Sequence, residues 1–408
     1  MTDSRKQPSR KALNDFKLNA LLEITHAINS DFDVDGLLGL YRATLEGSLG
    51  IEKLILYCHQ GKWQSMLHFG FNGAPPDIED AGVFNATQNM GLSLSSTGEM
   101  MSFDIVIPVN NNDVPIAFLL VGDVEENKRG TSPVIKHMKF IQTITNIVLV
   151  AIQNKRLAEE NLRQVRISKE LELAAEMQSM LVPDMLPKDD RYDVSAIYKP
   201  HLQVGGDYYD FIELDTNRVM FCMADVSGKG VSAAFLMANF QAYLMSFFSY
   251  LNLPLEEVVK LLNERVMKSA MGEKYITLFI GTFDRSTRVL EYINCGHNPP
   301  VLVHPAGGLD LLSMGTIGLG MFDELPHIQK GTMTLAPSTL LICYTDGLVE
   351  QENASEEEFG TPRLSAISKE NQHLTAEEIN AKILNAFNLF RGDVPYVDDT
   401  ALLTCKFY

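Results

Sequence analysis

The sequence predicts an α+β protein in three parts, and three observations predict it. Helix-patterned segments bracket a first group of short strand-like runs, which is the arrangement of a small α+β domain. The interval from Val134 to Val182, closed by Pro133 and Pro183, holds neither glycine nor proline. A helix through it would be roughly 70 Å long at about 1.5 Å per residue. Beyond it, strand-like runs follow one another with few helices between them, which argues for antiparallel pairing rather than a doubly wound parallel sheet.

Bulk properties narrow the function. The chain has 408 residues, 46% of them hydrophobic, enough for two or three cores at roughly 100–200 residues each. A formal charge of −18 and a pI near 4.9 exclude a general nucleic-acid binder, which needs a basic face. Cys58, Cys222, Cys295, Cys343 and Cys405 form no C-x-x-C pair, and most lie in apolar runs. They read as buried free thiols in a reducing compartment. The opening "MTDSRKQPSRK" lacks the apolar stretch of a signal peptide. The longest apolar run, Ile147–Ile152, is far short of the ~20 residues of a membrane span, so a cytoplasmic protein with no membrane span is expected.

Residues 1–14 are polar and basic and read as a flexible tail. Helix patterns follow at Leu18–Ser30 and Asp31–Leu49, then strand runs at Lys53–His59, Trp63–Gly70, Phe103–Val109 and Val114–Val124. "NNND" (Asn110–Asp113) joins the last two as a hairpin turn. With "IPV…IAFLLVGD" and the closing helix "FIQTITNIVLVAIQNKRL", residues 15–155 resemble a GAF domain, a small sensory module. The resemblance implies a small ligand or protein activator bound there. No residue identifies the ligand, and His59, His68 and His137 read as structural, because no second ligand stands at helix spacing.

Residues 156–184 read as a linker helix. Leu157, Leu162, Val165, Leu171, Ala174, Met177 and Leu181 recur at three- to five-residue intervals, an imperfect heptad that suggests a homodimer seam; an inert spacer is the alternative. The third part, residues 185–408, opens with "VSAIYKP" and a hairpin. Helices are expected at Val231–Leu251 and Pro254–Ala270. Strands then follow at "YITLFIGTFD", "VLEYINCG", "PVLVHPA", "STLLICYTDG" and "DDTALLTCKFY".

The hairpin carries the chemistry. "YYDFIEL" and "RVMFCMADV" flank "DTN" (Asp215–Asn217), and a three-residue turn pairs Leu214 with Arg218. That register sets Asp207 opposite Asp225; a two-residue turn would make the pair diagonal. Like charges directly opposed at ~5 Å destabilise a hairpin, and a divalent cation turns the repulsion into attraction. Asp346 follows the apolar run "LLICY", and Asp398 and Asp399 precede "TALLTC", so both places are strand ends meeting loops. Oxygen-only donors of this kind suit Mg²⁺ or Mn²⁺.

"GGDYYDF", "ADVSGKGVSAA", "NCGHNPP", "YTDGLVE" and "DDTALL", preceded by "ELELAAEMQSMLVP", occur in the order seen in metal-dependent protein serine/threonine phosphatases, the PPM or type 2C family. They resemble its bacterial, SpoIIE- and RsbU-like branch. The resemblance implies a β-sandwich flanked by helices and two Mn²⁺ or Mg²⁺ ions per domain. It implies that Asp225 bridges them, with Asp207 and the Val226 carbonyl completing one site and Asp346 and Asp398 the other. It also implies a phosphorylated STAS-domain substrate in a partner-switching pathway. "DDTA" stands where "DDIT" is common, which leaves the acidic position intact. Lys229 is a candidate phosphate contact or a solvated lysine. His297 is a candidate general acid, with a turn-fixing role the stronger reading, and Asp210 is a structural or supporting carboxylate. A non-catalytic GAF–coiled-coil adaptor is the alternative function. A nucleotide cyclase fails, because Tyr208 and Tyr209 stand where a GGDEF hairpin needs Glu-Phe.

Overall fold

Near-continuous apolar runs in the first strands, such as Leu54–Cys58 and Ile116–Val121, call for a sheet with both faces covered. The computed structural model describes residues 10–30, 32–75, 78, 92–96, 99–103, 105–111, 114–122, 133–183, 185–250 and 253–408. Two units, Met1–Val165 and Arg166–Tyr408, each have their own core.

The first unit begins with helices α1 (Arg10–Asn29) and α2 (Val34–Arg42), the second capped by Asp33 Oδ1 accepting from the Gly36 N–H at 2.8 Å. Helix α1 thus starts at Arg10 rather than Leu18, inside the stretch expected as a tail; residues 1–9 lie outside the described residues. Helix α2 gives way to a π-helical turn, Ala43–Ser48, so the second helix is not uniform. Strands β1 (Lys53–Gln60), β2 (Lys62–Phe69), β3 (Leu92–Ser96), β4 (Glu99–Phe103), β5 (Ile105–Asn111) and β6 (Val114–Gly122) follow. The main sheet is antiparallel in the order β2-β1-β6-β5, and β3 and β4 form a separate hairpin. Residues 112–113 of the expected "NNND" turn lie outside the described residues.

One sheet face packs Leu54, Leu56, Leu119 and Val121 against Ile24, Tyr41 and Ile144 of the helices. The other gathers Ile55, Tyr57, Phe118 and Leu120 with Trp63 and Phe103. Helix α3 (Pro133–Ser179) is continuous over 47 residues. Along it Leu157, Leu162, Val165 and Met177 are exposed, whereas Leu171 and Ala174 are half-buried. Leu181, past the helix end, packs into the second unit's core, so the apolar seam stops short of it.

The second unit is a four-layer sandwich. Its strands are β7 (Tyr192–Lys199), β8 (Tyr208–Glu213), β9 (Arg218–Val226), β10 (Ile276–Asp284), β11 (Val289–Cys295), β12 (Val301–Val303), β13 (Leu309–Leu311), β14 (Gly315–Thr316), β15 (Gly331–Thr334), β16 (Thr339–Tyr344) and β17 (Thr400–Phe407). One sheet runs β14-β11-β10-β9-β8 with β15 on β11, the other β13-β12-β16-β17-β7. Phe221, Phe279 and Phe283 of the first meet Leu341, Leu403 and Phe407 of the second, with the Phe283 and Phe407 rings 4.7 Å apart.

Helices α4 (Val231–Tyr250) and α5 (Leu255–Ala270) cover the first sheet. Helices α6 (Asp346–Val349), α7 (Thr361–Glu370) and α8 (Ala376–Arg391) lie on the second. The α4 window Val231–Phe248 is long and apolar enough to cross a bilayer by length and composition, although polar residues break it into short apolar runs. Its apolar face, with Leu236, Met237, Phe240 and Leu244, is buried in the core beneath it. All five cysteines are free and buried.

Candidate metal centre

The turn fixes the hairpin. Asp215 Oδ1 accepts from the Asn217 and Arg218 N–H groups at 2.8 and 2.9 Å, an Asx turn that closes a three-residue loop. Leu214 N–H then donates to the Arg218 carbonyl at 2.8 Å, and the ladder runs from Glu213 opposite Val219 to Tyr208 opposite Ala224. Asp207 precedes β8 and lies close enough to Asp225, near the end of β9, for the two carboxyls to act on each other.

The second sheet brings the other acids to the same end of the sandwich. Strands β16 and β17 pair with Tyr344 opposite Leu402, so the residues after one and before the other are adjacent. Thr345 Oγ1 joins the two sheets, donating to Asp207 Oδ2 at 2.7 Å and accepting from the Ala401 N–H at 2.8 Å. Gly347 lets α6 approach the 398–399 segment: a Cβ there would lie 2.0 Å from the Asp399 carbonyl oxygen. Asp399, which the sequence marked only as a neighbour of Asp398, is the more buried of the two. It accepts from the His201 N–H at 2.7 Å and the Gly206 N–H at 2.6 Å.

Burial and mutual repulsion mark the cluster electrostatically. Asp207, 1% exposed, has its pKa driven well up by burial and then by Asp225 and Asp399. Burial, then Asp346, Asp398 and Asp399, raise Asp225. Asp346 is raised by burial and by Asp398. The buried Tyr198 hydroxyl, without a hydrogen-bond partner, is raised by burial and by Asp399, Asp207 and Asp225.

Among the described residues one salt bridge reaches these acids, Lys229 Nζ to Asp398 Oδ2 at 2.8 Å, and Lys229 also donates to the Val397 carbonyl. No three His, Cys, Asp or Glu side chains among them are already drawn into a metal-ligand grouping; the carboxylates are turned instead to the donors just named. Crowded carboxylates offering oxygen donors alone fit a hard divalent cation, which would relieve their repulsion. Gly206 keeps the Val226 carbonyl clear, since a Cβ there would come within 3.1 Å of it.

The remaining candidates stand apart. Asp210 accepts from the Tyr208 hydroxyl at 2.6 Å and the Phe211 N–H at 2.8 Å, a local structural role. His297 is buried, its backbone N–H donating to Asn294 Oδ1 and its ring Nδ1 bonded to Thr277 Oγ1 at 2.8 Å. Burial lowers its pKa to about 4, so near neutral pH the ring is uncharged, while the backbone bond to Asn294 fixes the turn. The folded state therefore resists a proton that the unfolded chain accepts below about 6.5. Stability should fall by about 3 kcal/mol as pH drops from about 6.5 to about 4. His297→Gln should lack this component when denaturant midpoints are compared across that range; matching pH profiles would contradict it.

Known proteins share sequence and fold with this chain. Residues 215–408 match the family model described as Stage II sporulation protein E (SpoIIE). The phosphoserine phosphatase RsbU of Bacillus subtilis is 28% identical over 255 residues, covering 60% of this chain and 71% of RsbU. The phosphoserine phosphatase RsbP of the same organism is 24% identical over 191 residues, covering 46% of this chain and 47% of RsbP. The solved SiaA PP2C domain of Pseudomonas aeruginosa superposes with a TM-score of 0.54 at 19% identity, covering 60% of this chain and 99% of that domain. Residues 215–408 accordingly match the SpoIIE family, and the second unit shares sequence with the phosphoserine phosphatases RsbU and RsbP and its fold with a solved PP2C domain.

Proposed function

We propose that the chain is a sensor-regulated, metal-dependent phosphoserine/phosphothreonine protein phosphatase. The observation that carries this is the gathering of Asp207, Asp225, Asp346 and Asp398 from two sheets at one end of the sandwich. Asp207, Asp225 and the Val226 carbonyl would hold one Mn²⁺ or Mg²⁺, and Asp225, Asp346 and Asp398 a second. When bound, such ions neutralise phosphoryl oxygens and acidify a water nucleophile. The protein's part is positioning: Thr345 fixes the Asp207 carboxylate, and Asp399 holds the backbone beside it. No cysteine competes as nucleophile, because burial keeps every thiol above its usual pKa, Cys58 at about 12.

In this proposal residues 15–155 act as a GAF-like sensor for a small ligand or protein activator, and the exposed apolar residues of α3 pair two copies as a homodimer. The substrate is a phosphorylated STAS-domain regulator in a partner-switching pathway, as the likeness to RsbU suggests, and the setting is cytoplasmic. The test is phosphate release from a phosphoserine-bearing STAS protein with Mn²⁺, by the full chain and by a form lacking residues 1–155. The full chain should be active, and the deletion should change the Mn²⁺ concentration giving half-maximal rate. No release from any phosphoprotein would leave the adaptor reading; an unchanged metal requirement would remove the sensor.

A further inference from the structure

Gln178 stands one residue before the end of α3. Met177, Ser179 and Met180 beside it are exposed, yet Gln178 is 9% exposed. Its side chain bonds one residue twice. Nε2 donates to the Gly205 carbonyl at 2.6 Å, and the Gly205 N–H donates to Oε1 at 3.1 Å. The primary amide thus pairs with a peptide unit much as a neighbouring strand would.

That substitution matters because the segment Gly205–Asp207 lies just outside the ladder, whose first pair is Tyr208 with Ala224. Its three residues are held one by one: Gly205 by Gln178, the Gly206 N–H by Asp399 at 2.6 Å, and the Asp207 carboxyl by Thr345 at 2.7 Å. Two of these anchors belong to the sheet bearing Asp346 and Asp398; the third comes from the helix. Gly205 is also confined, since a Cβ on it would lie 2.0 Å from the Tyr198 hydroxyl oxygen and 2.6 Å from Asp399 Oδ2. A segment carrying a buried carboxylate against another would swing away unless its backbone were tied.

We propose that Gln178 is a positioning residue: its amide clamps Gly205 so that Asp207 stays beside Asp225, and the clamp sets how tightly the aspartate cluster takes up a divalent cation. This rests on the metal-dependent reading above. The experiment is calorimetric titration of Mn²⁺ into the full chain without substrate, for wild type, Gln178→Ala and Gln178→Glu, with kcat then measured at saturating Mn²⁺. Gln178→Ala should weaken Mn²⁺ binding about tenfold, the lower end for residues that orient metal ligands. Its kcat at saturating metal should stay within about twofold, because metal binding restores the geometry. Gln178→Glu keeps the acceptor for the Gly205 N–H but loses the donor to its carbonyl, and should also weaken binding. Wild-type Mn²⁺ affinity in both variants, with melting temperatures near wild type, would overturn the inference alone. So would a lowered kcat with unmoved affinity, the mark of a merely structural role. A wild type that binds no Mn²⁺ would instead bring down the phosphatase reading, and this inference with it.

Discussion

Asp225→Asn should abolish phosphate release, by about a thousandfold or more, while making the EDTA-treated protein more stable. The loss follows from removing the carboxylate that both proposed cation sites share; several kcal/mol of electrostatic stabilisation amounts to about three powers of ten in rate. The gain follows from the repulsion described above. Asp225 sits at a raised pKa among Asp207, Asp346, Asp398 and Asp399. Its ionisation therefore destabilises the fold, and stability falls as pH climbs above the ordinary carboxylate range. The neutral amide should lift the melting temperature at pH 7 by a few degrees, equivalent to about 1 kcal/mol in a unit this size, and flatten that decline. Activity retained in Asp225→Asn, assayed with excess Mn²⁺, would remove the basis for the proposed chemistry.

Gly347→Ala should damage stability and activity together. The added Cβ would meet the Asp399 carbonyl oxygen at 2.0 Å and its carbon at 2.9 Å, and backbone cannot rotate away as a side-chain tip can. Forcing the α6 turn from the 398–399 segment should cost about 1–3 kcal/mol. It should also separate Asp346 from Asp398, so adding Mn²⁺ would recover little of the lost rate. Scanning calorimetry with a metal-dependent assay checks both. A variant with wild-type melting and activity would show that the two loops have room to part.

The contrast between these sites shows what the sequence could disclose. The hairpin was readable because its register depends on three local residues, Asp215–Asn217, whose Asx chemistry sets the loop length. The long strands were readable from apolar runs, and α3 from its lack of glycine and proline. The short strands β13, β14 and β15 were not, since two to four residues carry no period and their pairing is decided by β11 and β12. Helices α7 and α8 are not among the expected helices, although Thr375 and Glu378 form a capping box at the second.

At the site, the candidate carboxylates announced themselves by falling at strand ends. Thr345, Asp399 and Gln178 did not, because each acts on a residue 27 to 193 positions away. One signal was present for Gln178. It follows Ala174 at i+4 and precedes Leu181 by three, so helical spacing placed a lone amide on the buried stripe, where an unpaired polar group would be costly.

The sealed thiols have a consequence beyond packing. Peroxide and electrophiles attack the thiolate, and this chain offers none at its surface. Enzymes that cleave phosphate esters through an active-site cysteine are silenced when that sulfur is oxidised, and so report on the redox state of their surroundings. Here no cysteine fuse of that kind is built in.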